Sequence, residues 1–329
     1  MTTLDPRVLD LDCEAEADRI AASLRQALRD LCRRGLVVAT SGGIDSSVSA
    51  ALAVRAVGPT HVFCLLLPER EGSSATLARA RQLVRHLGVR HEEQDISPTL
   101  EAIGCYARRD AAVRAVFPEY APDWKFKIAI RGGLEGRYNT FHLIVERPGG
   151  SAHGVEGRPL AADQLFEIVG ATNYKQRIRK TIEYCHADRL NYAVAGTPNR
   201  LEYDQGFFVK NGDGAADVKP IAHLYKTQVY ALARALGLPA TICEAEPTTD
   251  TYSLAQGQDE FYFGLPVTQM DYALWARNHD VPADGLAAFL GITPVRAARI
   301  YHDIDVKRRT TRYLHRGAIL AGTVSEVQG

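Results

Sequence analysis

The sequence predicts an α/β fold, a doubly wound parallel sheet with helices on both faces and an inserted loop or β-hairpin region. Three observations carry this. Short apolar runs at Leu36–Ala39, His61–Leu67 and Tyr192–Ala195 have the length and composition of strands buried on both faces. Between them lie stretches with apolar residues at helical spacing. The first run also passes through a Ser/Gly turn straight into a helix, a connection that sits at the carboxyl edge of such sheets.

Taken in order, Glu14 to Arg33 reads as an amphipathic helix with Ile20, Leu24, Leu28 and Leu31 on one face. The strand at Leu36–Ala39 follows, then a helix from Ser46 to Val57. Pro68 stops the second strand, Ser74 caps a helix running to Leu87, and Gly88 ends it. Val89 to Ile96 is a weaker third strand, and Pro98 opens another helix. From Tyr106 to Leu160, glycines and prolines break the pattern repeatedly. Phe126–Arg131 and Thr140–Glu146 read as hairpin arms inside it, so residues 106–160 are expected to be an insertion or lid. Leu165 to Ala187 returns to helix, Tyr192–Ala195 is the next strand, and Lys226 starts a helix packed through Val229 and Leu232. Residues 280–329 are expected to form a C-terminal helical tail on a single domain spanning 1–329.

Composition narrows the function. Lys+Arg and Asp+Glu are equal at 39 each, so no overall basic surface points to nucleic acid. No apolar run reaches the ~20 residues of a membrane span. Met1–Asp5 has neither a basic n-region nor an apolar h-region, and a cytoplasmic location is expected. The six cysteines include no Cys-x-x-Cys pair and are expected to be small buried hydrophobes rather than a zinc site or disulfide frame.

The chemistry concentrates in two stretches. In Ser41-Gly42-Gly43-Ile44-Asp45-Ser46-Ser47, the turn aims backbone N–H groups and a helix N-terminus at one point, which suits a phosphate. Glycines keep Cβ atoms out of the way, serine hydroxyls add donors, and Asp45 is placed to share a Mg²⁺ with the phosphates. No Gly-Lys-Ser/Thr closes the turn, so it is not a Walker A loop. The second stretch comprises Asn173 to Arg179, Gly196-Thr197-Pro198-Asn199-Arg200-Leu201-Glu202, Lys210-Asn211-Gly212-Asp213-Gly214-Ala215-Ala216-Asp217, Leu224-Tyr225-Lys226 and Glu246 to Asp250. Thr197 and Glu202 leave a second sheet edge, where Glu202 is placed to complete a Mg²⁺ site with Asp45. Lys226 is placed to offset charge on phosphates. Asn173 and Arg177, four apart, share a helix face toward one substrate, and Lys210, Asp213 and Asp217 lie in a Gly-rich loop near it.

The Ser41 turn resembles the Ser-Gly-Gly-x-Asp-Ser pyrophosphate loop of the ATP pyrophosphatases. With the Gly-Thr-x-x-x-x-Glu, Lys-x-Gly-Asp-Gly-x-x-Asp and Leu-x-Lys motifs, the chain resembles the ammonia-dependent NAD synthetases of that group. The absence of paired cysteines sets it apart from the tRNA thiolases, which carry a similar loop. The resemblance implies an adenine nucleotide alpha hydrolase-like fold and an amide-forming ligase. It implies ATP bound by Ser41, Gly42, Gly43, Asp45, Ser46, Ser47, Thr197, Lys226 and Thr248, with Asp45, Ser46 and Lys226 in the catalytic role. It implies Mg²⁺ on Asp45 and Glu202, and deamido-NAD on Asn173, Arg177, Lys210, Asp213, Asp217 and Lys307. A homodimer is implied, using free ammonia or a separate glutaminase, because the chain has no room for a fused glutaminase domain. Three departures fall on the substrate side: Val169 where such enzymes place an aromatic, Val306 where histidine is common, and an aromatic rather than acidic segment from Thr251 to Gly264. The alternatives are therefore amidation of a different carboxylate and, from another class, a non-catalytic ATP-binding sensor or scaffold.

Overall fold

The computed structural model describes residues 4–131, 140–149, 155–245, 252–254, 256–257, 262–322 and 324. Its first helix, α1 (Cys13–Asp30), is capped by Asp12, whose side chain accepts the Ala15 N–H at 3.0 Å. Then come β1 (Leu36–Ala39), α2 (Ile44–Val57), β2 (Val62–Leu66), α3 (Ser74–Leu87) and β3 (Arg90–Glu93). Two further helices, α4 (Ser97–Ala102) and α5 (Cys105–Val116), lead to β4 (Lys125–Arg131), β5 (Thr140–Glu146) and β6 (Val155–Pro159). The chain returns through α6 (Ala162–Thr172) and α7 (Tyr174–Leu190) to β7 (Ala193–Ala195), followed by α8 (Arg200–Gln205), α9 (Lys226–Ala235) and α10 (Ala240–Cys243). It ends with α11 (Val267–Asn278), α12 (Ala283–Leu290) and α13 (Pro294–Thr311).

The main sheet is parallel, in the order β3-β2-β1-β7. Side-chain alternation decides its two faces. Leu36, Val38, Val62, Cys64 and Leu66 pack with α1, α2, α3 and α9, whereas Val37, Phe63, Leu65 and Val194 pack with α4 and α7. Both faces are buried, which is why the strands read as unbroken apolar runs. At the edge, β3 is exposed along its length; its Arg-His-Glu-Glu sequence charges the open edge and accounts for its weak apolar signal.

Residues 106–160 hold more regular structure than a hairpin. The predicted arms are β4 and β5, but β6 adds a third antiparallel strand, with Glu146 opposite Val155 and His142 opposite Pro159. Val-Glu-Gly-Arg-Pro carries no apolar alternation because β6 is a short edge strand, so its sequence looks like loop. The second sheet packs through Phe126, Ile128, Leu143 and Val145 against Val113 and Phe117 of the α5 region and Ile168 of α6. The helix expected from Leu165 to Ala187 is two helices meeting at Asn173, whose N–H still bonds Val169 O and whose C=O still accepts from Arg177. The C-terminal helices α11 to α13 share an apolar cluster, built on Met270, Leu274, Leu286, Ile300 and Ile304, with Leu9, Leu201 and Tyr225. All six cysteines are unpaired; Cys64, Cys105 and Cys243 are buried as expected, whereas Cys32 and Cys185 are exposed. Among the described residues no helix is long and apolar enough to cross a membrane.

Candidate active site

The turn after β1 is folded by its own side chains. Gly42 has φ +85°, and a Cβ there would lie 2.2 Å from the Thr76 carbonyl oxygen, so only glycine lets the turn pass α3. The Ser46 hydroxyl accepts the Ser41 N–H at 3.2 Å and donates to Gly43 O at 3.1 Å. The Ser41 hydroxyl accepts the Gly43 N–H at 3.2 Å, and Ser47 donates to Gly43 O at 2.8 Å. This fixes Gly43 as the N-cap of α2, whose first N–H groups have no intrahelical acceptor and face the carboxyl edge of the sheet.

Asp45, in the first turn of α2, forms an ion pair with Lys226, the first residue of α9. Lys226 is 2% exposed. Burial works against its ammonium, but the charges of Asp45 and Glu202 outweigh it and hold the group above the ordinary lysine range. The α9 N-terminus is fixed by Asp271 of α11, whose carboxylate accepts the N–H groups of Lys226 at 3.1 Å and Thr227 at 2.7 Å. Asn199 joins Asp45 to Glu202. Its side-chain amide donates to Asp45 Oδ1 at 3.1 Å, and it forms a reciprocal cap with Glu202 at 3.1 and 3.2 Å. The two distant carboxylates and the lysine therefore meet at one corner.

A cavity of about 790 Å³ opens from that corner. Of the residues predicted for nucleotide and metal, Ser41, Gly43, Asp45, Ser46, Thr197, Glu202 and Lys226 line it. Of those predicted for the second substrate, Asn173, Arg177, Lys210 and Asp213 line it as well. Arg177 donates to the Lys210 carbonyl at 3.3 Å, and the Lys210 ammonium donates to the carbonyls of Tyr313 and Arg316 at 2.8 and 2.7 Å. The Asp213 carboxylate accepts the Val209 N–H at 2.7 Å within its own turn, and burial raises its pKa.

Four predicted residues are placed elsewhere. Gly42 faces α3, and Ser47 is wholly buried beneath the turn. Asp217 is turned to the β7 edge, where it accepts the Val194 N–H at 2.7 Å and the Tyr184 hydroxyl at 3.3 Å. Lys307 is buried on α13, bonded to Asp303 and to the Tyr262 carbonyl at 2.6 Å each; it bears on the cavity only through Tyr262, which lines it. Thr248 lies outside the described residues.

Three further residues bear on the corner or the cavity. Asn199 lies within the Gly196–Glu202 stretch, where its Asn-x-x-Glu pattern is the signal for the cap. Lys175 lines the cavity, clamped by Glu69 at 2.9 Å and Glu71 at 2.6 Å, and nothing in the spacing of those residues announces it. Tyr252 lines the same cavity as Val169 from a segment distant in sequence.

Known proteins resemble this chain over nearly its whole length. The family model for NAD synthase matches residues 16–116 and 158–308, leaving out most of the second sheet. An NH3-dependent NAD+ synthetase of Rhizobium meliloti (strain 1021) is 56% identical over 97% of this chain and 95% of its own length. One from Mesorhizobium japonicum is 51% identical over 97% of this chain and its whole length. Among solved structures, an NAD+ synthetase from Burkholderia pseudomallei is 25% identical with a TM-score of 0.57, covering 94% of this chain and 93% of that one. On the matched segments and these relatives, the chain belongs to the NAD synthase family.

Proposed function

We propose that this chain joins ammonia to the carboxylate of deamido-NAD, with ATP as the activating substrate and AMP and pyrophosphate as by-products. The observation that carries this is the convergence of Asp45, Lys226, Asn199 and Glu202 on the N-terminus of α2. The β and γ phosphates of ATP sit at the Ser41 turn, against backbone N–H groups and hydroxyls. A nicotinate oxygen attacks the α-phosphorus, the bond to the bridging oxygen breaks, and pyrophosphate leaves with the electron pair. Ammonia then attacks the acyl carbon, AMP departs with its oxygen, and the nitrogen loses a proton to leave the amide. Lys226 offsets the charge that grows on the phosphates, and the corner acts by positioning rather than as a nucleophile.

Asp45 and Glu202 fit Mg²⁺, because that ion commonly takes one or two carboxylates together with substrate phosphates and water. When bound it would supply further neutralisation of phosphate charge. Asn173, Arg177 and Lys210 offer donors to the anionic dinucleotide. The proposal includes a single synthetase domain with residues 106–160 as an insertion, a cytoplasmic homodimer, and ammonia drawn free or from a separate glutaminase.

The test is incubation with ATP, Mg²⁺, ammonium and deamido-NAD, following NAD and pyrophosphate. One NAD per pyrophosphate is expected, with turnover lost on chelation and regained with Mg²⁺. Pyrophosphate release with another carboxylic acid alone would move the substrate, and ATP binding with no acid consumed would overturn the ligase reading.

A further inference from the structure

The polar corner sets two carboxylates, Asp45 and Glu202, against the ammonium of Lys226, which is already paired to Asp45. That balance is poor for holding a polyphosphate. A second cation stands at the turn. α2 packs against both α9, which brings Lys226, and α3, which brings Arg79 in its second turn.

Arg79 is anchored on the turn itself. Its Nε donates to the Gly42 carbonyl oxygen at 3.2 Å, and Nη2 donates to the Thr76 hydroxyl at 3.4 Å. The missing side chain of Gly42 allows this approach, because a Cβ there would lie 3.1 Å from the Cβ of Arg79. The guanidinium is thereby tied to the residue before Gly43, the N-cap of α2. Two features separate it from an ordinary surface arginine. Both of its acceptors are neutral, and among the described residues Arg79 makes no ion pair, whereas Arg81, two residues on, is forked onto Glu93. Arg79 also lines the cavity together with Ser41, Gly43 and Ser46 of the turn, and its Nη1 donates to no described residue. Its charge is held in place without being spent.

We infer that Arg79 is a phosphate-binding residue, whose guanidinium takes the β and γ phosphates of ATP from the α3 side of the turn as Lys226 does from the α9 side. This rests on the reading above in placing ATP at the turn. When the bond between the α-phosphorus and the bridging oxygen breaks, that oxygen leaves on pyrophosphate with the electron pair, and Arg79 offsets the charge gained there. No proton moves to or from it. A guanidinium suits the task because it stays charged and offers paired donors to phosphate oxygens.

The experiment titrates full-length wild type, Arg79→Gln and Arg79→Lys with magnesium pyrophosphate, ATP and AMP in a calorimeter, and assays each for turnover. Glutamine keeps a neutral donor for the turn, whereas lysine keeps the charge without the fork. Arg79→Gln is expected to weaken pyrophosphate and ATP about 10- to 100-fold. AMP, which lacks both phosphates, should change by less than about twofold, as should the deamido-NAD KM. Arg79→Lys should fall between Arg79→Gln and wild type. Pyrophosphate bound by Arg79→Gln as tightly as by wild type would overturn the inference. Equal losses in the two variants, or AMP weakened as much as ATP, would show a side chain that only props the turn and would overturn it too. If wild type binds ATP and pyrophosphate but consumes no deamido-NAD, the ligase reading fails while the variants still decide the role of Arg79. A wild type that binds neither overturns both.

Discussion

At the α2 end of the cavity, Ser41, Asp45, Asn199, Glu202 and Lys226 are held by hydrogen bonds among short segments, each at the carboxyl end of a strand or the start of a helix. Elsewhere on the cavity wall, Val169 and Tyr252 come from α6 and from a segment clamped on β4, and their side chains are held by apolar packing. The first end is a polar device whose parts must occupy fixed positions because charge is handled there. The second is a surface, for which shape and ring placement matter more than any single donor. Loss of one group should therefore lower the rate at the first end and change affinity at the second.

The largest effect is expected at the corner. Lys226→Met keeps most of the volume but leaves Asp45 without its ammonium partner and the phosphates without theirs. Turnover should fall about 10²- to 10³-fold, read as pyrophosphate release at saturating ATP and deamido-NAD. A fall confined to the deamido-NAD KM would erase the contrast between the two ends.

The seam between the ends is a buried ion network. Lys175 of α7 lies between Glu69 and Glu71, Arg109 of α5 pairs with Glu71, and Tyr106 donates to Glu69 at 2.8 Å. Burial works to raise the Glu71 pKa, and the charges of Lys175 and Arg109 outweigh it, leaving the carboxyl below its ordinary value. A depressed folded-state pKa contributes stability that is present above the unfolded value of 4.5 and lost as pH falls through the lower folded value. Glu71→Gln should cost about 3 kcal/mol at pH 7, because two cations lose a buried partner. The gap between wild type and variant in urea melts should narrow as pH falls below about 4.5. A gap that does not change with pH would mean packing, not charge, joins the ends.

The same contrast explains what the sequence disclosed. The Ser41 turn, the Thr197 and Glu202 stretch and the strands Leu36–Ala39 and Tyr192–Ala195 are local signals, each readable within about a dozen residues, and the strand order of the parallel sheet brings their ends together. β6 was invisible because an edge strand of Glu, Gly, Arg and Pro has no periodic apolar face. A charged residue in a Gly-rich loop or a tail gives no sign in the sequence of which way it turns. Here Asp217 satisfies the β7 edge, and Lys307 is satisfied inside the tail cluster. The segment of Ser253 and Gln256 is held by backbone groups of β4 more than 120 residues away, a contact that no local pattern announces.

A smaller effect is expected where the tail meets the corner. Gly206 ends α8, the helix carrying Glu202, with φ +73°, and a Cβ there would sit 2.3 Å from the Cβ of Thr311 on α13. Gly206→Ala must strain the left-handed cap and push α13 aside, at a cost of about 2 kcal/mol. The midpoint of urea unfolding should fall accordingly. An unchanged midpoint would mean that the tail is only loosely applied to α8.

The smallest effect addresses the acid end directly. Val169→Phe places a ring where the cavity wall is aliphatic. The deamido-NAD KM should move by no more than about fivefold, the worth of one ring contact. The ATP KM should stay level, because the corner is fixed by hydrogen bonds in which position 169 takes no part. A shift of both constants together would mean that the wall at 169 also shapes the corner, and the two regions could not then be varied independently.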